Sequence, residues 1–114
     1  MDELHFETKD FKGRTIVCEK VQWVDHIVEN IHHKYMDGSE EDVIQALRNP
    51  HNQYRCYDRV KKNRRVYYFY HPHWNNYTKV VVEFGDEDKD CNGLGKVWTA
   101  YKLDEITSGE KPEL

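Results

Sequence analysis

Cations and aromatic rings that could hold phosphates and bases are concentrated in one short stretch of the chain. Five cations lie within residues 59–65, although the 114-residue protein has a formal net charge of −4. The aromatic run Val66–His71 follows at once. Cations neutralise phosphates and exposed rings stack on bases, so the stretch indicates a nucleic-acid surface. The alternative is a solvated hairpin turn beside an aggregation-prone strand. The five cations are Arg59, Lys61, Lys62, Arg64 and Arg65.

Histidine could supply proton transfer beside this surface. Cleavage of RNA without a metal needs a base for the 2′-hydroxyl, an acid for the departing 5′-oxygen and cations for the phosphate. The ordinary pKa of histidine, about 6.5, suits the first two roles, and arginine suits the third. At about 100° per residue, His26 falls on the polar side of the first predicted helix and His32 at the margin of its apolar stripe.

Two metal sites are weighed against that chemistry. His71–His73, with His32 and His33, could bind zinc, but no cysteine or carboxylate lies at a ligand spacing. Asp88–Gly93 fits the opening of a calcium loop, yet position twelve is Thr99, where a glutamate is needed, and strands are predicted on both sides. A solvated acidic turn explains this segment better. The sequence therefore predicts no metal and no other cofactor.

Composition predicts one folded domain at residues 1–106 and a disordered tail at 107–114. The mean hydropathy is −0.99 and 33% of residues are charged, but fifteen aromatic residues can supply a core. No apolar run reaches the roughly 20 residues that span a bilayer, and the start carries no leader pattern, so we expect a cytoplasmic protein with no membrane partner. The odd, widely spaced cysteines Cys18, Cys56 and Cys91 are expected to be reduced thiols.

The pattern of apolar residues predicts an α+β fold. Residues 15–19 read as a strand, residues 21–35 as a helix, and Ser39 to Asn49 as a second helix. Four strand-like runs follow at 54–60, 65–71, 77–84 and 96–103. Sequential strands with short links normally pair antiparallel, so we expect two N-terminal helices packed on one face of a four-stranded antiparallel β-meander. The predicted core between the layers is Val24, Val28, Ile31, Ile44, Leu47, Val80 and Val82.

Six short motifs, in order along almost the whole chain, resemble a known family. The chain is similar to the phage-associated branch of the barnase, EndoU, colicin and RelE-like ribonuclease superfamily. The resemblance implies a metal-independent endoribonuclease with the same helix and sheet layout. It also implies a toxin or phage-borne effector, and such proteins can have an inhibitor or immunity protein as partner. The motifs are Asp10–Ile16, Trp23–Ile27, Val43–Pro50, Arg64–Tyr68, Lys79–Val82 and Val97–Tyr101.

The resemblance also suggests roles for individual residues. His26 would be the general acid or base. Family members often carry a second histidine at the position of Ile31, so the neighbouring His32 would take that role. Arg65, or Arg59 on the neighbouring strand, would bind the scissile phosphate. Thr99 and Tyr101, two residues apart, would share a sheet face and donate hydrogen bonds, and Tyr68 would stack on a base or donate to phosphate. The open alternatives are that either Thr99 and Tyr101 or Trp98 and Ala100 form the buried face of that strand, and that the protein is a non-catalytic RNA-binding or protein-binding module.

Overall fold

In the part of the chain that the structure describes, six strands form one mixed sheet, and three helical segments accompany it. The computed structural model describes residues 3–29, 34–51, 61–88 and 90–112, together with the backbone of 56–57. The strand order is β1-β2-β6-β5-β4-β3. The strands are β1 (Leu4–Lys9), β2 (Thr15–Glu19), β3 (Cys56–Tyr57), β4 (Arg64–His71), β5 (Asn76–Glu83) and β6 (Gly95–Leu103). The helical segments are a π-helix (Gln22–Val28), a 3₁₀ turn (Lys34–Met36) and α1 (Glu40–Arg48).

The α+β class is correct, but the predicted arrangement of two helices on a four-stranded antiparallel meander is wrong. Strands β3 to β6 do pair antiparallel with their neighbours in sequence. However, β6 also pairs in parallel with β2, through Ile16 with Gly95 and Val17 with Lys96. The antiparallel hairpin of β1 and β2 therefore extends the sheet beyond β6. Pairing rules for sequential strands could not show this, because β2 and β6 are separated by most of the chain.

The first predicted helix is a short π-helix where the structure describes it. The N–H of Glu29 donates to the carbonyl of Val24 at 2.9 Å, five residues back. This wider turn changes which side chains share a face, so Trp23 and Ile27 are buried while Val24 is exposed. The predicted burial of Val24 is therefore wrong. Part of the predicted helix, including Ile31 and His32, lies outside the described residues.

The second helix agrees with its sequence signals. Its first turn carries three carboxylates, which the helix dipole favours, and the N–H of Asn49 donates to the carbonyl of Gln45 at 2.7 Å at its end. Val43 and Leu47 are fully buried, whereas Ile44 is only half-buried.

The two faces of the sheet are covered differently. The helical segments and alternate strand residues such as Tyr67, Val80 and Val82 form the main core. The opposite face carries a smaller cluster of Val66, Tyr68 and Val81, against which Ile106 packs. Residues 104–112 cross this second face, which we call the tail face. Among the described residues, no helix has the length and apolar character needed to cross a membrane.

A buried polar network ties the turn between β1 and β2 to the rest of the molecule. Oδ1 of Asp10 accepts hydrogen bonds from the backbone N–H groups of Lys12 and Arg14 at 3.0 and 2.9 Å. Its Oδ2 accepts from Arg14 Nε and from the Tyr67 hydroxyl, both at 2.7 Å. Arg14 Nη1 also donates to the carbonyl of Cys91 at 3.3 Å, which holds the acidic loop after β5. The network therefore gives Asp10 and Arg14, two residues of the Asp10–Ile16 motif, a structural role.

Candidate nucleic-acid interface

Trp98 occupies a β-bulge in β6, and its ring is exposed on the tail face. Val81 pairs with Thr99 and Val82 pairs with Val97, so Trp98 is the extra residue between them. A bulge interrupts the alternation of a strand and can re-aim a side chain. Ala100 is fully buried, whereas Trp98 is 40% exposed. The bulge thus separates two residues that simple alternation would place on one face.

Two of the predicted site residues meet at Trp98. The His26 ring centroid lies 5.3 Å from that of Trp98, with the planes tilted by 47°. The guanidinium carbon of Arg64 lies 5.2 Å from the Trp98 centroid, within the range of a cation–π interaction. Gln22 of the π-helix donates to the Trp98 carbonyl, which fastens this helix to β6. We call His26, Arg64 and Trp98 the Trp98 cluster.

The carboxylate of Glu83 pairs with two cations beside this cluster. Its Oε2 accepts a hydrogen bond from Arg64 Nε at 2.7 Å and lies 3.9 Å from Lys61 Nζ. Glu83 also lines a groove of about 470 Å³ together with Trp98 and Lys96. The groove therefore has an aromatic wall, one lining cation and three lining carboxylates, because Glu19 and Asp86 also line it and Lys96 Nζ lies 3.2 Å from Glu19 Oε1.

The remaining hairpin cations do not share one surface. Lys61 and Lys62 are exposed, but Arg65 is only 4% exposed. Arg65 Nη1 donates to the carbonyls of Lys62 and Arg64 at 2.9 and 2.8 Å, so its guanidinium is used to hold the turn. By strand alternation Arg65 belongs with Tyr67 on the helix side, away from the tail face. Arg59 lies outside the described residues.

Tyr68, Thr99 and Tyr101 lie on the tail face, and Thr99 and Tyr101 share a sheet face as predicted. Thr99 and Tyr101 pair with Val81 and Lys79 and are half-buried. The ammonium group of Lys79 lies 5.7 Å from the ring centroids of both Tyr68 and Tyr101. The sheet therefore brings Tyr68 and Tyr101 together around Lys79, a residue that the sequence interpretation did not select. A single lysine inside an apolar strand was the signal that could have drawn attention to it.

Glu110 of the tail completes this second group. Lys79 Nζ donates to Glu110 Oε2 at 2.8 Å, and the Tyr68 hydroxyl donates to Glu110 Oε1. Burial raises the pKa of Tyr68 to about 12, and its hydrogen bond to Glu110 acts in the same direction. Burial alone would lower the pKa of Lys79, but Glu110 and the neighbouring tyrosines outweigh it and the pKa is raised. Lys79 therefore stays charged beside the Glu110 carboxylate.

A third aromatic group lies near the far end of the tail face. The His51 ring centroid is 5.0 Å from that of Tyr70 and 5.3 Å from that of Tyr77, and the two tyrosine centroids are 5.2 Å apart. The Tyr70 hydroxyl donates to Asn75 Oδ1 at 2.8 Å. The tail face thus carries aromatic rings from the Trp98 cluster to the turn between β4 and β5.

His71 and the acidic turn, which were considered as parts of metal sites, make other contacts. No group of three or more His, Cys, Asp or Glu that could hold a metal occurs within them, though His32 and His33 lie outside. His71 Nε2 lies 2.7 Å from Thr78 Oγ1, and burial lowers its pKa. The two carboxylate oxygens of Asp88 accept the N–H groups of Asn92 and Gly93 at 2.9 and 2.7 Å, which lowers the Asp88 pKa. That carboxylate is used to shape the acidic turn.

Comparison of this chain with protein-family models, curated proteins and solved structures finds no match. Nothing in these comparisons identifies a ribonuclease domain, and the resemblance noted in the six motifs stays a prediction.

Proposed function

We propose that this protein binds single-stranded RNA on the tail face, with a base stacked on Trp98 and a phosphate held by Arg64. The observation that carries the proposal is the Trp98 cluster: an exposed indole, re-aimed by a bulge, with a guanidinium over its ring. An indole can stack on a base only if that base is unpaired and turned outward, so a single strand is the expected ligand. The sequence predicts phosphate binding by Arg65. We assign it to Arg64 instead, because the guanidinium of Arg65 is buried.

The strength of the interaction follows from the stacking term. Stacking of one base on an aromatic side chain is worth about 1–3 kcal/mol. Since about 1.4 kcal/mol corresponds to a tenfold change, Trp98→Ala should raise the Kd for RNA by roughly 5- to 150-fold. Trp98→Phe keeps a smaller ring and should lose less.

The chain offers a matched control for this measurement. Trp74, in the turn between β4 and β5, is 71% exposed and its ring centroid lies 4.8 Å from that of His73. His73 and Trp74 therefore form the same kind of pair as His26 and Trp98, a histidine ring beside an exposed indole, but in the turn between β4 and β5. Fluorescence anisotropy with a labelled 12-nucleotide RNA should show unchanged binding for Trp74→Ala, and weaker binding by wild type to the same RNA in a duplex. Equal affinities of Trp98→Ala and wild type would falsify the proposal.

Metal-independent cleavage of the bound RNA is the second candidate function. It is favoured by one observation: the exposed imidazole of His26 lies against the ring on which the base would stack. From there His26 would transfer a proton to or from the ribose and phosphate of the same nucleotide. The attacking oxygen is the 2′-hydroxyl of the RNA, so the product would carry a 2′,3′-cyclic phosphate and no metal-bound water would be needed.

The cleavage test separates this candidate from binding. Wild type should cleave single-stranded RNA in excess EDTA, and His26→Ala should be about 10²- to 10⁴-fold slower with RNA binding retained. His73→Ala serves as the matched control and should cleave at the wild-type rate. Binding without cleavage by wild type would leave the protein a non-catalytic RNA-binding module, whereas dependence on added metal would reject the acid–base mechanism.

A further inference from the structure

The carboxylate of Glu110 is held on the tail face in the way that a phosphate is commonly held. It receives one charged donor, the ammonium of Lys79, and one hydroxyl donor, from Tyr68. Charge-assisted bonds from Lys together with hydroxyl donors are also the usual partners of phosphate oxygens. The Lys79 and Glu110 side chains are only 6% and 4% exposed. A charged pair is therefore buried on the face that otherwise presents aromatic rings.

The tail that carries Glu110 contacts the tail face through Ile106, Thr107 and Glu110. Ile106 packs on the apolar cluster of the tail face, and Thr107 accepts a hydrogen bond from Lys79 Nζ at 2.9 Å. The backbone N–H of Thr107 donates to the Tyr68 hydroxyl at 3.2 Å. Beyond these contacts, Asp104, Glu105, Ser108 and Gly109 are exposed. A buried ion pair contributes little net stability, because desolvation of its two charges offsets their attraction.

Exchange of one anion for another would cost less than removal of the anion. Withdrawal of Glu110 alone would remove the counter-charge of the Lys79 ammonium, which is unfavourable. A phosphate arriving as Glu110 leaves would keep the ammonium paired throughout. The site is also continuous with the Trp98 cluster, because Tyr101, the partner of Lys79, lies three residues beyond Trp98 on β6, or roughly 10 Å along a strand.

We propose that Lys79 and Tyr68 form a phosphate site that Glu110 of the protein's own tail occupies, and that a backbone phosphate of RNA takes the place of this carboxylate. The inference rests on the proposed binding of RNA to the tail face. It makes residues 104–112 a strap that competes with RNA, and it makes Lys79 a contact of the nucleotide next to the one stacked on Trp98.

The experiment uses full-length variants and labelled single-stranded RNA. Glu110→Gln keeps the shape of the side chain but removes its charge, so RNA should bind more tightly, within the 5- to 150-fold range typical of coupled sites. The slope of log affinity against log salt should stay the same, because the phosphate contact with Lys79 is made in both proteins. Glu105→Gln removes the same charge from an exposed position of the tail and should change affinity less than twofold, as expected for screened surface charges.

A double variant identifies Lys79 as the group that gains the phosphate. Lys79→Met combined with Glu110→Gln leaves no unpaired buried charge, so it should fold. It should lose the gain in affinity, and its slope of log affinity against log salt should be shallower by about 0.7, because the phosphate contact with Lys79 is lost. In wild type, hydrogen exchange at the Thr107 N–H should accelerate when RNA is bound, because the strap has moved. If Glu110→Gln and Glu105→Gln bind RNA equally while Trp98→Ala still weakens binding, the strap is wrong and the Trp98 cluster stands.

Inorganic phosphate tests the site even if RNA does not bind. Phosphate should raise the Tm of Glu110→Gln more than that of wild type, and should have no such effect on the double variant. If RNA does not bind, that result would support the anion site and identify its ligand as free phosphate rather than RNA. Equal shifts in all three proteins, together with no binding of RNA, would overturn both the site and the proposed function.

Discussion

The buried pair of Asp10 and Arg14 should stabilise the protein far more than an exposed ion pair does. The Asp10 side chain is fully buried and that of Arg14 is 9% exposed, with Nε and Oδ2 2.7 Å apart. Asp10→Asn preserves the shape and the Oδ1 acceptor for the two backbone N–H groups. With that oxygen kept in place, the amide NH₂ faces Arg14 Nε, and the guanidinium loses its counter-charge.

The size of the effect follows from that lost charge. Removal of one partner from a buried pair typically costs about 3–5 kcal/mol, a large part of the roughly 5–15 kcal/mol that stabilises a small domain. Arg14 keeps its bonds to the Cys91 carbonyl and the Tyr67 hydroxyl, so the lower half of the range is expected. Asp10→Asn combined with Arg14→Met removes both charges and should be less destabilised than the sum of the single variants, by about 2–3 kcal/mol.

A double-mutant cycle in urea measures this coupling. The exposed pair of Glu3 and Lys20, with 4.0 Å between the charged atoms, provides the control cycle through Glu3→Gln and Lys20→Met. Such surface pairs are worth about 0–1 kcal/mol. The reasoning fails if the Asp10–Arg14 coupling energy is no larger than that of the surface pair while all variants unfold in two-state transitions.

Three further outcomes can be measured directly. In Gly95→Ala the new Cβ would lie 2.7, 2.7 and 2.9 Å from three core side chains, so unfolding should cost about 1–3 kcal/mol less, whereas Gly85→Ala, whose nearest atom is 3.9 Å away, should be neutral in the same urea titration. Burial raises the pKa of Cys18 from 9.0 to about 12, and a raised pKa stabilises the folded state fully below the unfolded value. The free energy of unfolding should therefore fall above pH 9, by up to about 1.4 kcal/mol per pH unit, and Cys18→Ala should remove the part of this decline that begins at pH 9. Charge reversal at the exposed Lys61 and Lys62 should reduce the slope of log RNA affinity against log salt by up to about 0.7 per lost phosphate contact, and an unchanged slope would show that neither contacts a phosphate.

The local signals of three strands and of the second helix were interpreted correctly, whereas those of the first helix were not. The runs that became β4, β5 and β6 are rich in β-branched and aromatic residues, and the second helix begins after Ser39 and ends before Pro50. These features act through the period of a strand or the ends of a helix, which a few adjacent residues define. The edge strand β1, paired only with β2, was not predicted.

The candidate site could be predicted only in part, because its residues are brought together by contacts between distant segments. His26 and Arg64 were selected by residue type, but their meeting at Trp98 depends on a π-helix and on a bulge, and neither follows from the regular periods used to interpret sequence. Arg65 differs from Arg64 by one position, yet strand alternation turns it to the other side of the sheet, where it is buried.

The sequence by itself determined that this chain has a core, which of its segments form the longer strands and α1, and that cations and aromatic rings are grouped near β4. Only the tertiary structure decided that β2 joins β6 in parallel and that Lys79 is buried against Glu110, thirty-one residues further along the chain. The physical reason is the range of the interactions: strand and helix preferences are local, whereas the partner of a strand edge or of a buried charge is chosen by whatever the folded chain brings beside it.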